Sequence, residues 1–423
     1  MILPNQEYLK NAKIPVCRPY LAGNELKYVT EAVKSNWISS ISPKVKEFED
    51  LFSMWLFGPN GTNEVANGFS VSCCNGTVAI ELALHTLRIG KNYGGKDTDE
   101  VIIPDFTMIA VPNAVHWAGA ILVMCDVSLS DWNIHPDKIE QLITPNTKAI
   151  IVVHTYGHPA QMDKIMQIAE EYDLKVIEDC AEAHGAEFNG QKVGTFGDIS
   201  TFSFYANKII TMGEGGCICT KDKKLAERAF YLKEHTFDKN KHFWHKEVGH
   251  NFRLTGLQAA IGIAQLEKIN EYIDMRRANA KKYQDRLGSF FENKTTASFL
   301  QRIETDEEFI NYEPRCYELS KEQPNCKSVY WMFGVIVSYL YKDQIRSKLA
   351  QNGIETRGFF IPIHWQKPYK DVPRDAYPVS NYLYETGFYL PSSTDLTDKE
   401  IDYVCGHLIK AIEEVDNHEK NRS

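Results

Sequence analysis

The chain has 423 residues, 43% hydrophobic and 24% charged, which suits one large unit with a full core plus a smaller one. Its net charge of -9 argues against nucleic-acid binding driven by overall charge. No apolar run is long enough to span a bilayer. The opening Met1-Ile-Leu-Pro-Asn-Gln-Glu7 has neither the basic nor the apolar region of a signal peptide, so a cytoplasmic location is expected.

Taken in order, the first informative stretch is Val71-Ser-Cys-Cys-Asn75-Gly76-Thr77, which runs into the helical pattern Val78-Ala-Ile-Glu-Leu-Ala-Leu84. A strand, a glycine turn and a helix start make an anion site, because free backbone N–H groups and the helix dipole both favour a phosphate. Read alone, Asn75-Gly76-Thr77 is also an ordinary helix cap. Short apolar runs then alternate with helical patterns: Val101-Ile-Ile-Pro104, Ala120 to Asp126, Lys148 to His154, Leu174 to Asp179, Ile199 to Phe204 and Gly216 to Thr220. Continuous apolar strands spaced by helices predict an α/β fold with a mostly parallel sheet covered on both faces. Ligands gather at the carboxyl ends of such strands.

Two of those ends carry chemistry. Asp179 closes the run Val176-Ile-Glu-Asp179, and Lys208 follows Thr201-Phe-Ser-Phe-Tyr-Ala-Asn207, ahead of a glycine-rich turn. Burial lowers a lysine's pKa, and the neutral amine attacks carbonyls. An aspartate that keeps a pyridine nitrogen protonated, followed by a lysine that bonds to an aldehyde, is the pair that pyridoxal 5'-phosphate chemistry requires. Ser203, on the strand leading to Lys208, is a second candidate phosphate donor.

The ten cysteines are scattered, and reduced buried thiols are expected. Cys73 and Cys74 are adjacent, and Cys217 and Cys219 flank one residue, but no second pair stands at zinc spacing. His154 and His158 fall in a loop-like stretch, so no metal is expected. Residues 255 to about 285 read as a helix leading out of the large unit. The expected division is a large cofactor-binding domain over 14–270, a small α+β domain over 271–415 with a polar surface insertion at about 291–327, and a frayed tail at 416–423.

The assembled motifs resemble the DegT-type nucleotide-sugar aminotransferases, which are fold-type I pyridoxal phosphate enzymes. The resemblance runs from about residue 14 to 415. Its motifs are Ser35-Asn-Trp-Ile-Ser-Ser40, Asn75-Gly-Thr77, Pro104-Asp-Phe-Thr107, His154-Thr-Tyr-Gly157, Glu178-Asp-Cys-Ala-Glu-Ala-His-Gly185, Asn207-Lys-Ile-Ile-Thr-Met-Gly-Glu-Gly-Gly216 and Gly249-His-Asn-Phe-Arg253 before Leu257-Gln-Ala-Ala260. Within the family the chain is most similar to the GDP-perosamine synthases, on Glu182 and the string around Lys208.

The resemblance implies that Lys208 binds the cofactor covalently and then moves the proton, and that Asp179 pairs with the pyridinium. It places Glu182 near the ring hydroxyl and gives the phosphate to Gly76, Thr77 and Ser203. Asn251 would reach the cofactor phosphate of a second subunit, with Arg253 at the same interface, which makes the active unit a homodimer. Trp37, Ser39, His154, Arg357 and His364 would line or border the substrate side. The implied partners are glutamate and a nucleotide-linked 4-keto-6-deoxy sugar, first of all GDP-4-keto-6-deoxymannose. The alternatives are the dTDP- or UDP-linked 4-keto-6-deoxyglucose, a 3-keto sugar, and a non-catalytic relative that binds cofactor or sugar nucleotide. A sugar 3-dehydratase is disfavoured, since those relatives carry histidine where this chain has Lys208. Two departures stand out: Met108 replaces the aromatic residue usually stacked on the cofactor, and Ser42-Pro43 replaces a glycine near the substrate.

Overall fold

The computed structural model describes residues 14–58, 66–238, 240–241, 243–295, 317–369 and 373–420. Among them are the strands β1 (Phe69–Cys73), β2 (Glu100–Pro104), β3 (Ile121–Cys125), β4 (Thr147–Val153), β5 (Lys175–Asp179), β6 (Glu187–Phe188), β7 (Gln191–Lys192), β8 (Ile199–Ser203), β9 (Gly216–Thr220), β10 (Glu318–Leu319), β11 (Cys326–Lys327), β12 (Phe333–Ile336), β13 (Arg357–Gly358) and β14 (Gly387–Leu390).

Seven of these form the central sheet in the order β1-β9-β8-β5-β4-β2-β3. Strands β8, β5, β4, β2 and β3 run parallel. β9 is antiparallel to both neighbours, so β1 points the same way as β8. The expected α/β fold is thus present, and every apolar run named above for the large unit supplies a strand. Alternate residues of one strand face opposite ways: Ala149, Ile151 and Val153 of β4 join one apolar cluster, and Ile150 and Val152 join another. Burying each such isoleucine contributes about 2 kcal/mol, which is why the run shows no polar alternation.

Local signals set the helices that cover the sheet. The helix Pro43–Phe57 starts with Ser42 capping the Lys44 N–H and Pro43 in the first turn, where the missing proline donor costs nothing. The helix Gly256–Leu266 opens with a capping box between Thr255 and Gln258. The long helix Ile269–Glu292 leads to a second, antiparallel sheet in the order β10-β12-β14-β13. One apolar cluster joins that sheet to this helix and to Asp398–Lys420, through Tyr283, Leu287, Phe333, Val335, Leu408 and Ile412.

The structure departs from the expected division in three places. Ile14 makes an isolated parallel bridge to Ile354 and joins the apolar cluster of the second sheet, and the Ser392 N–H donates to the Val16 carbonyl, so the chain's first described residues pack with the second unit. Part of the expected insertion, residues 296–316, lies outside the described residues. The remainder is built in: β10 pairs with β12 and β11 with β6, and Tyr317 and Leu319 are buried. The expected frayed tail is helical as far as Lys420.

Candidate active site

The parallel strands deliver their carboxyl ends to one cavity of about 760 Å³, a volume typical of small-molecule sites. Its wall includes Gly76 and Thr77 after β1, Thr107 and Met108 after β2, Val153 of β4, Asp179 and Glu182 at and after β5, and Ser203 and Lys208 at and after β8. From the second sheet come Arg357 and Tyr389, and Trp331 precedes β12.

At one end is the anion turn. The Asn75 side-chain oxygen accepts the Val78 N–H at 3.0 Å. That leaves the N–H groups of Gly76 and Thr77, in the first turn, without an intrahelical partner. A Cβ on Gly76 would come within 2.6 Å of Ser203 Cβ. The glycine therefore lets the turn and Ser203 sit against each other, with the serine hydroxyl beside the free amides.

At the other end, Asp179 is buried and accepts the Ala181 N–H at 3.0 Å. Burial raises its pKa, opposed by that bond and by the nearby Lys208 charge. Burial likewise lowers the pKa of Lys208, with Glu182 and Asp179 opposing. Glu182 is pushed up to about 7 by burial, against Lys208 and the Tyr156 N–H, which donates to it at 2.8 Å. The cavity thus holds a base and two acids displaced from their ordinary ranges, a mark of functional sites.

Pyridoxal phosphate fits these residues. The free amides and Ser203 suit its phosphate, the Asp179 carboxylate its ring nitrogen, and the Lys208 amine stands ready for its aldehyde. Thr107 Oγ1 and Asn207 Oδ1, both on wall residues, are buried without a hydrogen-bond partner. Orphaned polar atoms of this kind are rare in a closed core and fit a wall that receives a ligand.

The sequence-predicted residues divide into three groups. Gly76, Thr77, Met108, Asp179, Glu182, Ser203, Lys208 and Arg357 line the cavity. Met108 is 47% exposed, and its sulfur accepts the Ala110 N–H at 3.0 Å. Arg357 pairs with Glu355 at 3.3 Å and is half exposed.

His154 and His364 are not brought to the wall. His154 is fully buried; its Nδ1 accepts the Ala160 N–H at 3.1 Å, so Nε2 donates to Glu178 at 3.2 Å. Its backbone N–H donates to the Asp179 carbonyl, which makes it a support behind the aspartate. His154, Glu178 and Cys180 have metal-ligand spacing, but the Glu178 carboxylate already takes N–H groups from Gly194, Phe196 and Gly197 at 2.7 to 2.8 Å. His364 is tied on both nitrogens, to Asp105 at 2.8 Å and to the Arg374 carbonyl at 3.0 Å. Both histidines are polar packing under the site, with every donor satisfied.

Trp37, Ser39, Asn251 and Arg253 lie outside this cavity. Trp37, Ser39 and Asn251 are exposed. Arg253 donates to Asn251 at 2.8 Å and pairs with Glu234 at 3.6 Å. Sequence reasoning missed Asn207, Trp331, Tyr389 and Phe360, all on the wall. Asn207 was legible as the neighbour of Lys208, whereas the other three arrive through long-range packing. A larger groove of about 950 Å³ between the helices Pro43–Phe57 and Lys223–Lys233 is lined by Met54, Phe69 and Phe230; it holds neither the Gly76 turn nor Lys208 and Asp179. The nine described cysteines are unbridged.

A family model for the DegT/DnrJ/EryC1/StrS aminotransferases matches residues 19–409. The chain is 37% identical over 393 residues to a GDP-perosamine synthase of Escherichia coli O157:H7, covering 93% of this chain and 96% of that one. It is 36% identical over 399 residues to a GDP-perosamine synthase of Caulobacter vibrioides, covering 94% and 97%. An aminotransferase structure from Psychrobacter cryohalolentis superposes with a TM-score of 0.78 at 28% identity, covering 95% and 98%. With the lysine, the aspartate and the anion turn in one cavity, the chain belongs to the DegT/DnrJ/EryC1/StrS aminotransferase family.

Proposed function

We propose that the protein moves an amino group from glutamate to C4 of a nucleotide-linked 4-keto-6-deoxy sugar, with GDP-4-keto-6-deoxymannose as the substrate and GDP-perosamine as the product. The observation that carries this reading is the cavity that places Lys208, Asp179 and the Gly76 turn together, in a chain more than a third identical to two GDP-perosamine synthases over nearly its whole length.

Pyridoxal phosphate, when bound, supplies a carbonyl that joins amines and a ring that delocalises the electrons of the adjacent C–H bond. Gly76, Thr77 and Ser203 hold its phosphate and thereby fix where its ring sits. Asp179 would pair with the ring nitrogen and hold a proton there. Lys208, its ammonium destabilised by burial, gives up its proton more readily than a lysine in water and so supplies the amine that attacks. Its Nζ takes the proton from the α-carbon of glutamate and later delivers one to C4 of the sugar. Glu182, raised to about 7 by burial, would share a proton with the ring hydroxyl. Burial of these groups keeps water from competing for the proton.

Asn251, Arg253, Trp37 and Ser39 complete the site from a second copy of the chain. A homodimer accounts for their position outside the cavity of one chain. It would also cover the apolar side chains Ile38 and Ile41, beside Trp37 and Ser39 in sequence, and Phe243, Trp244 and Val248, ahead of Asn251, all exposed between 46% and 82%. The test is product mass after incubating the pyridoxal phosphate-loaded protein with glutamate and, separately, the GDP-, dTDP- and UDP-linked 4-keto-6-deoxy sugars. An amino sugar from the GDP substrate is expected. One formed only from the dTDP or UDP substrate moves the reading to viosamine-type sugars, and no product from any of the three overturns it.

A further inference from the structure

Lys208 Nζ stands 4.0 Å from the ring centroid of Trp331, a contact made across the join between the large sheet and the segment leading to β12. Trp331 is 4% exposed and held from three sides. Its indole N–H donates to the carbonyl of Asn207, the residue before Lys208, at 2.7 Å. Its own carbonyl accepts from Arg276 at 2.9 Å, and Arg276 is itself fixed by Ser392 and Thr394. Its backbone also sits where a Cβ on Gly157 would come within 2.8 Å. The preceding residue, Tyr330, has a φ of 45°, a left-handed conformation that a tyrosine adopts only when its surroundings impose it. The fold thus spends backbone strain to aim this indole at the lysine.

We infer that Trp331 is a positioning residue for Lys208: its ring face is the resting place of the free ammonium at the cavity floor. A protonated amine over an indole is attracted by the ring quadrupole, and most strongly where water is excluded. The ring therefore favours the charged amine and gives Nζ a fixed position whenever it is not bonded elsewhere. The hydrogen bond to Asn207 locks the indole to the same turn that carries Lys208, so base and ring move together. Asp179, Glu182, Cys17 and His184 also act on the amine or are acted on by it, and Glu81, Tyr205, Glu214, Arg357 and Tyr389 share its cavity wall; all of these residues are retained when the ring is replaced. The inference rests on the aminotransferase reading for its consequence in turnover, but the contact itself does not.

The test uses the cofactor-free protein. Acetylation of Lys208 by acetic anhydride is followed across pH by peptide mass spectrometry in the wild type, Trp331→Phe and Trp331→Leu, with exposed Lys46 as internal reference. Removing the ring face should lower the pH of half-reaction by about one unit in Trp331→Leu. The smaller ring of Trp331→Phe should lower it by less than half as much, and that variant carries the test if the leucine variant does not fold. A midpoint within about 0.2 unit of wild type in both, whatever the change in absolute rate, overturns the inference and leaves Trp331 as space-filling only. Failure to aminate any keto sugar would sink the proposed function and leave this result untouched.

Discussion

Replacing Gly76 by alanine separates two effects of one methyl group. Alanine is the better helix former by about 1 kcal/mol, so propensity alone would stabilise the helix Gly76–Thr86. Against this, the new Cβ would lie 2.6 Å from Ser203 Cβ and 3.0 Å from Ser203 Oγ. Both contacts are to atoms fixed close to the backbone, so no far end of a flexible side chain can yield. The turn must retreat by about 1 Å, and overpacking of this kind costs about 1–3 kcal/mol. The retreat carries the amides of Gly76 and Thr77 away from Ser203. A hydrogen bond to a charged group is worth about 1.5–3 kcal/mol, so loss of one weakens binding by about 10- to 100-fold. Titration of the cofactor-free protein with pyridoxal phosphate, followed by absorbance, should show that loss. Pyridoxal, which lacks the phosphate, should bind with little change. Adding Ser203→Gly removes the clashing Cβ but also a phosphate donor, so the double variant should bind about as weakly as Gly76→Ala alone, a non-additive pair. Wild-type affinity in Gly76→Ala, or equal losses for both ligands, would refute the phosphate assignment.

Other expectations follow from the same geometry. Lys208→Ala should abolish amination while the circular dichroism spectrum is unchanged; residual activity above a thousandth of wild type would count against the lysine as base. Glu182, raised to about 7 by burial, binds a proton in the folded cofactor-free protein that the unfolded chain has released by about pH 4.5. Stability should therefore fall as pH rises from about 4.5 to 7, by up to ~3 kcal/mol from this group. Glu182→Gln should flatten that slope in urea midpoints, and an unchanged slope would contradict it. Lys233 is buried, 3.1 Å from Glu49 and 2.8 Å from the Ser72 carbonyl, and Glu49 also accepts the N–H and hydroxyl of Ser72. Glu49→Ala should cost about 3–5 kcal/mol by stranding the ammonium, whereas Glu49→Leu with Lys233→Met should recover most of it; equal unfolding midpoints for Glu49→Ala and wild type would rule out the pair as the clamp on β1.

What could be read from the sequence was what the chain settles locally. Ala149 to Val153 is apolar throughout because a parallel strand buries both faces, and that pattern needs no partner to be recognised. Asp179 stands out because it ends such a run, and Lys208 because it follows one ahead of a glycine-rich turn. Asn75 and Gly76 stand out because a cap and a close approach both limit the residue types allowed. The carboxyl-end rule for parallel sheets then places all four at one cavity.

What could not be read was which way a polar side chain turns when its partner is distant in sequence. His154 sits in a motif rich in site residues, yet Glu178 and Ala160 claim both its nitrogens. His364 is claimed by Asp105, 259 residues away. Trp331 belongs to an apolar run that reads as strand from Val329, but the strand begins only at Phe333. The irregular residues before it are what turn the indole toward Lys208. A regular strand there would alternate its side chains between the two faces of the second sheet. The break in the pattern is thus the structural signature of the contact, and it becomes visible only once the two sheets are set side by side.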